Sequence, residues 1–321
     1  MIRWGIIGCG SVTEVKSGPA LQRAEGSALV AVMRRDGEKA RDYATRHGVA
    51  KWGTDAQALI HDPEVDAVYI ATPPAFHADY AVQVAQAGKP VYVEKPMGCT
   101  VADCRRMLAA CQAAGVPLFV AYYRRALPRF LQVKALLEAE AIGEVRAVIV
   151  RMIRPAKDAD ADASNWRVDP ALAGGGYVYD VGSHMLDLLD FLFGPIAAVQ
   201  GTALNQAGLY AAEDLVAGQF TFASGVASIG LWSFASYNSG IYDQVEIFGA
   251  RGRISYSTFG ETPILLETAA GVTPFDIPNP PHIQQPLIQT IVDELHGHGQ
   301  CPSRGDSALR TNWVMEEMCK G

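Results

Sequence analysis

The chain has no apolar run long enough to cross a bilayer, no Cys-x-x-Cys, no internal repeat, no low-complexity tract, and no cluster of lysine or arginine beyond isolated pairs. Each absence removes a class of function. A membrane-spanning helix needs about 20 consecutive apolar residues, so no membrane partner is expected. Nucleic-acid backbones are held by dense positive charge. With a formal net charge of −7 and nothing more basic than Arg34-Arg35, Arg105-Arg106 and Arg124-Arg125, a nucleic-acid partner is not expected either. The six cysteines (Cys9, Cys99, Cys104, Cys111, Cys301 and Cys319) follow no pairing pattern. That fits neither a disulfide framework nor a zinc site and predicts a reducing, cytoplasmic setting. Cys104 and Cys111 lie on one face of a helix and read as small core residues. His296-Gly297-His298 offers two metal ligands without a third, so no metal is expected. Met1-Ile2-Arg3 runs straight into an apolar segment, and no signal peptide is expected.

What is present is an ordinary globular composition, 49% hydrophobic and 19% charged over 321 residues. That length exceeds what one hydrophobic core organises and predicts two domains. The first part alternates apolar strands with helices. An apolar run over 2–8 stops at Gly8-Cys9-Gly10, and Pro19 fits the first turn of a helix. A strand over 28–33 leads to Asp36, a suitable N-cap for a helix over 38–46 closed by His47-Gly48. Strands over 67–71, 91–93 and 117–121 alternate with helices over 75–87 and 104–114. Strands apolar on both faces imply a parallel sheet covered on two sides, so residues 1–122 are expected to form an α/β Rossmann domain, doubly wound. After a helix over 128–140, strand-like segments dominate 145–267 with short links. They imply a mostly antiparallel, open-faced sheet in an α+β domain spanning 123–321. Helices over 286–295 and 307–318 end the chain and could pack back on the first domain. Residues 157–164, with three aspartates, read as a mobile loop.

Three stretches carry chemistry. Gly8-Cys9-Gly10-Ser11-Val12-Thr13 follows G-x-G-x-x-G except at its last place. Gly8 permits the tight turn and Gly10 lets backbone approach a pyrophosphate. Ser11 and Val12 belong to the same cofactor-binding turn, and the helix that follows presents unpaired N–H groups to the anion. Thr13 stands where helix packing, more than phosphate contact, is at stake. At the end of the second strand Arg34-Arg35 suits the 2′-phosphate of NADP, with NAD as the alternative, whereas Asp36 is better placed as a helix cap.

The second stretch, Val91-Tyr92-Val93-Glu94-Lys95-Pro96, is a buried strand that ends in a carboxylate, an amine and a proline. Lys95 falls at the sheet edge where ligands bind. Partial burial beside a cationic nicotinamide would let its amine exchange a proton near neutrality. The third runs from Gly174-Gly175-Gly176 to Asp187 and carries Asp180, His184 and Asp187 along one helix face. A carboxylate one turn from an imidazole can fix its tautomer or raise its pKa. Tyr122, Arg124, Trp166, Tyr237 and His282 are candidates for substrate contact, because aromatic faces and hydrogen-bonding side chains suit a polyol.

Taken together, the glycine turn, Ala71-Thr72-Pro73 with His77 downstream, Glu94-Lys95-Pro96 and the GGG-x-x-x-D-x-G-x-H-x-x-D run resemble the Gfo/Idh/MocA oxidoreductases over nearly the whole chain. The resemblance implies that Lys95 and His184 form the catalytic pair. His184 would accept the proton of a sugar hydroxyl with Asp180 assisting, and Lys95 would orient the same oxygen. It also implies that Thr72, Pro73 and His77 line the cofactor, that Glu94 neighbours the nicotinamide, and that Lys95-Pro96 is cis. The implied reaction is hydride transfer between nicotinamide C4 and a carbinol carbon of a small sugar, polyol or related cyclic molecule. A homodimer or homotetramer through the second domain's sheet is implied as well. The alternatives are an NAD-dependent inositol, polyol or dihydrodiol dehydrogenase, and a non-catalytic cofactor-sensing regulator. Retention of Lys95, Asp180 and His184 together speaks against the regulator.

Overall fold

Strands that are apolar on both faces must be covered on both faces, and the first part of the chain achieves this by alternating them with helices. The computed structural model describes residues 1–162, 164–237 and 240–320. The chain divides into two units, Met1–Leu127 with Pro280–Leu309, and Pro128–Asn279 with Arg310–Gly321. The first unit opens with β1 (Ile2–Ile7), α1 (Ser11–Val15), α2 (Ser17–Arg23), β2 (Ser27–Met33), α3 (Gly37–His47), β3 (Lys51–Gly53) and α4 (Ala56–Ile60). It continues through β4 (Ala67–Ile70), α5 (His77–Gln86), β5 (Val91–Val93), α6 (Val101–Ala114) and β6 (Leu118–Val120). Its sheet has the order β3-β2-β1-β4-β5-β6, parallel throughout. The order reverses between β1 and β4, and ligands of such sheets bind outside the carboxyl ends of the strands at that reversal. Asp36 caps α3 by accepting the Lys39 N–H at 3.1 Å. The edge strand β3 and the short helix α4 carry no periodic signal in the sequence.

The second unit comprises α7 (Pro128–Glu138), β7 (Val145–Ile153), α8 (Pro170–Ala173), α9 (Ser183–Phe193), β8 (Ile196–Leu204), β9 (Leu215–Phe222) and β10 (Ala227–Ser233). Four more strands follow: β11 (Tyr242–Gly249), β12 (Gly252–Tyr256), β13 (Ile264–Thr268) and β14 (Gly271–Phe275). Then α10 (Gln285–Leu295) falls in the first unit, and α11 (Gly305–Cys319) closes the chain. The sheet order is β14-β13-β12-β11-β7-β10-β9-β8, antiparallel except where β10 lies parallel to β7. That pairing needs a long crossover, and the excursion through α8, α9, β8 and β9 supplies it.

Alternation sorts the residues of this sheet. Val148, Val150, Trp232, Val245, Ile247 and Ile254 are buried on one face. The opposite face leaves Ile229, Leu265 and Val272 exposed. Across it runs a ladder in which Arg253 pairs with Glu246 (2.9 Å) and Glu267 (2.7 Å) while Arg151 also pairs with Glu246.

The aspartate-rich stretch read as a mobile loop is instead anchored, although Ala163 within it lies outside the described residues. Asp160 is 1% exposed, forms an ion pair with the buried Arg154 at 2.8 Å, and accepts the Tyr177 hydroxyl at 2.5 Å. The Arg154 guanidinium lies 4.3 Å over the Tyr177 ring. Counting aspartates could not reveal this, because the partners come from a strand end and from a residue 17 positions on. Removing one member of a buried pair strands the other charge, at a cost of about 3–5 kcal/mol, whereas an apolar replacement of both costs far less. Arg154→Ala is therefore expected to lose about that much stability in urea unfolding, and Arg154→Met combined with Asp160→Leu to lose less than Arg154→Ala alone.

Candidate active site

Three loops leave the carboxyl ends of β1, β4 and β5. In the first, the Gly8 and Cys9 N–H groups donate to the Met33 carbonyl (2.9 and 3.2 Å), which ties the turn to the end of β2. Gly8 adopts a φ of +92°, and a Cβ there would stand 2.9 Å from the Thr72 side chain. Only glycine fits. At Gly10 a Cβ would meet only the Gly8 carbonyl oxygen, at 3.7 Å, so the backbone faces open space. Burial pushes the Cys9 thiol up to about 11, which makes it unreactive. The Arg34 guanidinium donates to the Cys9 carbonyl at 3.2 Å, and that of exposed Arg35 lies 5.7 Å over the Phe76 ring. Asp36 is engaged by the α3 N-terminus and by Lys39.

His77 is fully buried and fastens the second loop to the third. Its Nε2 lies 2.8 Å from the Thr72 carbonyl, and its Nδ1 lies 3.1 Å from that of Pro96 and 3.2 Å from that of Met97. Burial holds its pKa below the ordinary histidine value. The resemblance assigns His77 to the lining of the cofactor, and in the structure its ring ties the Thr72 loop to the Pro96-Met97 loop. Glu94, buried at the end of β5, accepts from the Tyr69 hydroxyl (2.5 Å), the Gln284 amide (2.9 Å) and the Lys95 backbone N–H (3.0 Å). Burial, and then the Glu94 charge, push the Tyr69 and Tyr92 phenols well above their usual value. Lys95 follows, with a cis bond to Pro96. Burial also pushes up the neighbouring Tyr123 phenol, but the positive charges of Arg124, Lys16 and Lys95 outweigh it and leave its pKa lowered.

In the second unit Asp180 lies in a π-helical turn, Val178–Gly182, that leads into α9. Such turns are rare and frequent at functional sites. Of the three glycines before it, Gly174 closes α8 at a φ of +88°, and the other two serve packing. A Cβ at Gly175 would strike the Tyr179 ring at 2.3 Å, and one at Gly176 the Glu213 carbonyl at 2.4 Å. The Asp180 carboxylate lies 3.5 Å from Arg167 Nε, and the Arg167 guanidinium lies 4.6 Å over the Trp166 ring. His184 is 4% exposed and meets the Phe259 ring edge-on, centroids 5.9 Å apart. Asp187 is buried and accepts from the Thr311 hydroxyl at 3.4 Å, so α11 engages it.

The substrate candidates fall in both units, Tyr122, Arg124 and His282 in the first and Trp166 and Tyr237 in the second. Tyr122 belongs to the hydrophobic core of the first unit, and Tyr237 is 97% exposed beyond β10. Arg124 is buried with its guanidinium 4.9 Å over the Tyr123 ring. Trp166 is half-buried beneath Arg167, and His282 precedes α10. Arg167, Tyr123, Phe259 and Gln284 escape a sequence reading. Arg167 could have been found beside Trp166 and Tyr123 between Tyr122 and Arg124, whereas the other two carry no local signal.

The first unit suits a dinucleotide. Gly8 and Gly10 leave room where a side chain would intrude, and the buried Thr72 Oγ1 and His282 Nδ1 have no partner among the described residues. Among the described residues no group of three or more His, Cys, Asp or Glu could hold a metal ion, and no helix is long and apolar enough to cross a membrane. Fold and site together define a nicotinamide-dinucleotide oxidoreductase. Residues 2–122 match the model of an oxidoreductase family with an NAD-binding Rossmann fold, and residues 130–255 match the GFO/IDH/MocA C-terminal domain. The chain belongs to the Gfo/Idh/MocA family of NAD(P)-dependent oxidoreductases. It is 38% identical to oxidoreductase P35 of Formosa agariphila over 99% of this chain and 98% of that one. It is 29% identical to the 1,5-anhydro-D-fructose reductase of Ensifer adhaerens over 96% and 92%. The crystal structure of aldose-aldose oxidoreductase from Caulobacter crescentus complexed with glycerol matches with a TM-score of 0.87 at 26% identity, covering 99% of this chain and 96% of that one.

Glu213, whose carboxylate accepts the Gly176 N–H at 2.7 Å, is an ionisable group beside this turn. Burial raises its pKa against the lowering effect of that N–H. A carboxyl whose folded pKa is raised contributes stability below its unfolded pKa and loses it as pH rises through the folded pKa. Glu213→Gln, which keeps an acceptor and removes the charge, is expected to gain thermal stability on the parent at about pH 8 and to lose that advantage at about pH 4. Melting curves across that range read the difference.

Proposed function

We propose that the chain is an NADP-preferring dehydrogenase of a small sugar, polyol or related cyclic alcohol. The bound nicotinamide supplies hydride exchange at C4. The chain supplies the rest. His184 takes the hydroxyl proton, Asp180 assists it, and Lys95 donates a hydrogen bond to the same oxygen. The observation that carries this reading is the placement of Lys95. It stands at the carboxyl end of β5, one strand from the sheet's reversal point, on a backbone held by the buried Glu94 carboxylate. The 1,5-anhydro-D-fructose reductase relative supports a carbohydrate-like substrate.

NADP preference rests on the division of labour after β2. Asp36 is committed to the helix cap, so Arg34 and Arg35 are left to meet the adenosine ribose substituent. The exposed face of the second unit's sheet, with Ile229, Leu265 and Val272 on it, is where a homodimer or homotetramer would form.

Lys95→Ala and His184→Ala are each expected to lower kcat about 100-fold or more with NADPH affinity, read by fluorescence titration, kept. Unchanged turnover in both variants would remove the assignment. NADPH should bind more tightly than NADH, and Arg35→Ala should weaken NADPH by about 10-fold or more while leaving NADH within about threefold. Tighter NADH binding by the parent enzyme would overturn the cofactor preference.

A further inference from the structure

Residues 257–263 connect β12 to β13, and a connection of this kind is ordinarily among the more mobile parts of a protein. Here it is gripped from two sides. The Asp243 carboxylate, near the start of β11, accepts the N–H groups of Thr258 (3.1 Å), Phe259 (2.6 Å) and Gly260 (3.4 Å) and the Ser257 hydroxyl (2.5 Å). From the other side Arg129 of α7, itself buried, donates to the carbonyls of Gly260 (2.7 Å), Thr262 (2.9 Å) and Ser257 (3.3 Å). An anion takes the donors of the loop and a cation takes its acceptors. Charge-assisted bonds are the strong ones, and seven of them, four from Asp243 and three from Arg129, leave the backbone little freedom.

The loop holds one aromatic side chain, Phe259, among Ser257, Thr258, Gly260, Glu261, Thr262 and Pro263. That ring is half-buried and stands edge-on to the His184 imidazole, with an interplanar angle of 77° and centroids 5.9 Å apart. A loop that only joined two strands would not need this degree of fixing. An imidazole that must present one nitrogen to a hydroxyl does need a fixed ring plane, because proton transfer depends steeply on geometry.

We propose that Phe259 is a positioning residue for His184, and that the Asp243 and Arg129 clamp exists to hold it there. The inference rests on His184 as the proton acceptor, and the experiments below separate the two. The histidine ring resonances of the holoenzyme with NADP+, assigned by comparison with His184→Ala, report the ring environment without any substrate. Phe259→Ala is expected to shift and broaden the His184 resonance while the others stay in place. With the sugar or polyol on which the parent enzyme turns over fastest, Phe259→Ala should lower kcat about 10-fold or more and leave NADPH affinity and the melting temperature close to the parent. Phe259→Tyr should restore most of the rate. Asp243→Asn should lower kcat in the same way, and Asp243→Asn with Phe259→Ala should be no slower than the slower single variant, since both act through one contact.

If Phe259→Ala keeps kcat within about twofold of the parent while His184→Ala abolishes turnover, the positioning role is wrong and the catalytic reading stands. If NADPH affinity and melting temperature fall along with kcat in Phe259→Ala, the residue is merely structural and the proposal fails. If His184→Ala retains full turnover, the catalytic reading itself is wrong.

Discussion

The carboxylate of Glu94 is held nearly out of water, and a charge in that position persists only where donors converge on it. Three do. The Tyr69 hydroxyl comes from β4, the Gln284 amide from the residue just before α10, and the third is the N–H of Lys95 itself. Much of the first unit's architecture around the site follows from that requirement. Tyr69 stacks on Tyr92 with ring centroids 4.6 Å apart, and the Tyr92 hydroxyl in turn bonds Gln284 at 3.2 Å. Residues 190 positions downstream are thereby drawn against the end of β5. The backbone at Lys95 is set by the same carboxylate that the fold must satisfy.

The second unit meets the same demand with different elements. Asp160 is satisfied by Arg154 and Tyr177 and so anchors the segment after β7. Asp243 is satisfied by the loop after β12. In each case a carboxylate, fully buried at Asp160 and partly exposed at Asp243, organises through its hydrogen bonds a stretch of chain that has too little apolar surface to fix itself. The elements beneath these loops are held differently, by burying one face of a sheet or both, and that part of the stability is insensitive to which loops are attached. This separation fits a family in which one scaffold carries many substrate preferences.

Much of the fold was legible because its signals are local. A strand apolar on both faces, a glycine turn after it, an aspartate at a helix start and a glycine at its end each depend on neighbours a few residues away. They survive in the sequence whatever the rest of the chain does. The strands that escaped notice had weak local signals. β3 is three residues long at a sheet edge, and β14 is mostly exposed with a proline in it. The one parallel pairing in the second sheet was likewise invisible, because it depends on where a long crossover lands.

Of the candidate site, the sequence by itself determined the chemical inventory and its placement at element ends: the glycine turn, Arg34 and Arg35 after the second strand, Lys95 at the end of β5, and Asp180 and His184 at the entry to a helix. The tertiary structure decided what each of these touches. It set Arg167 beside Asp180, Phe259 beside His184 and Gln284 beside Glu94, turned His77 into a staple, and buried Tyr122 in the core. Secondary structure follows from spacing along the chain, which a sequence displays directly. The partner of a buried polar group is whichever donor or acceptor the folded chain brings within about 3 Å, and Arg129 reaches Gly260 across 131 positions with nothing in between to announce it.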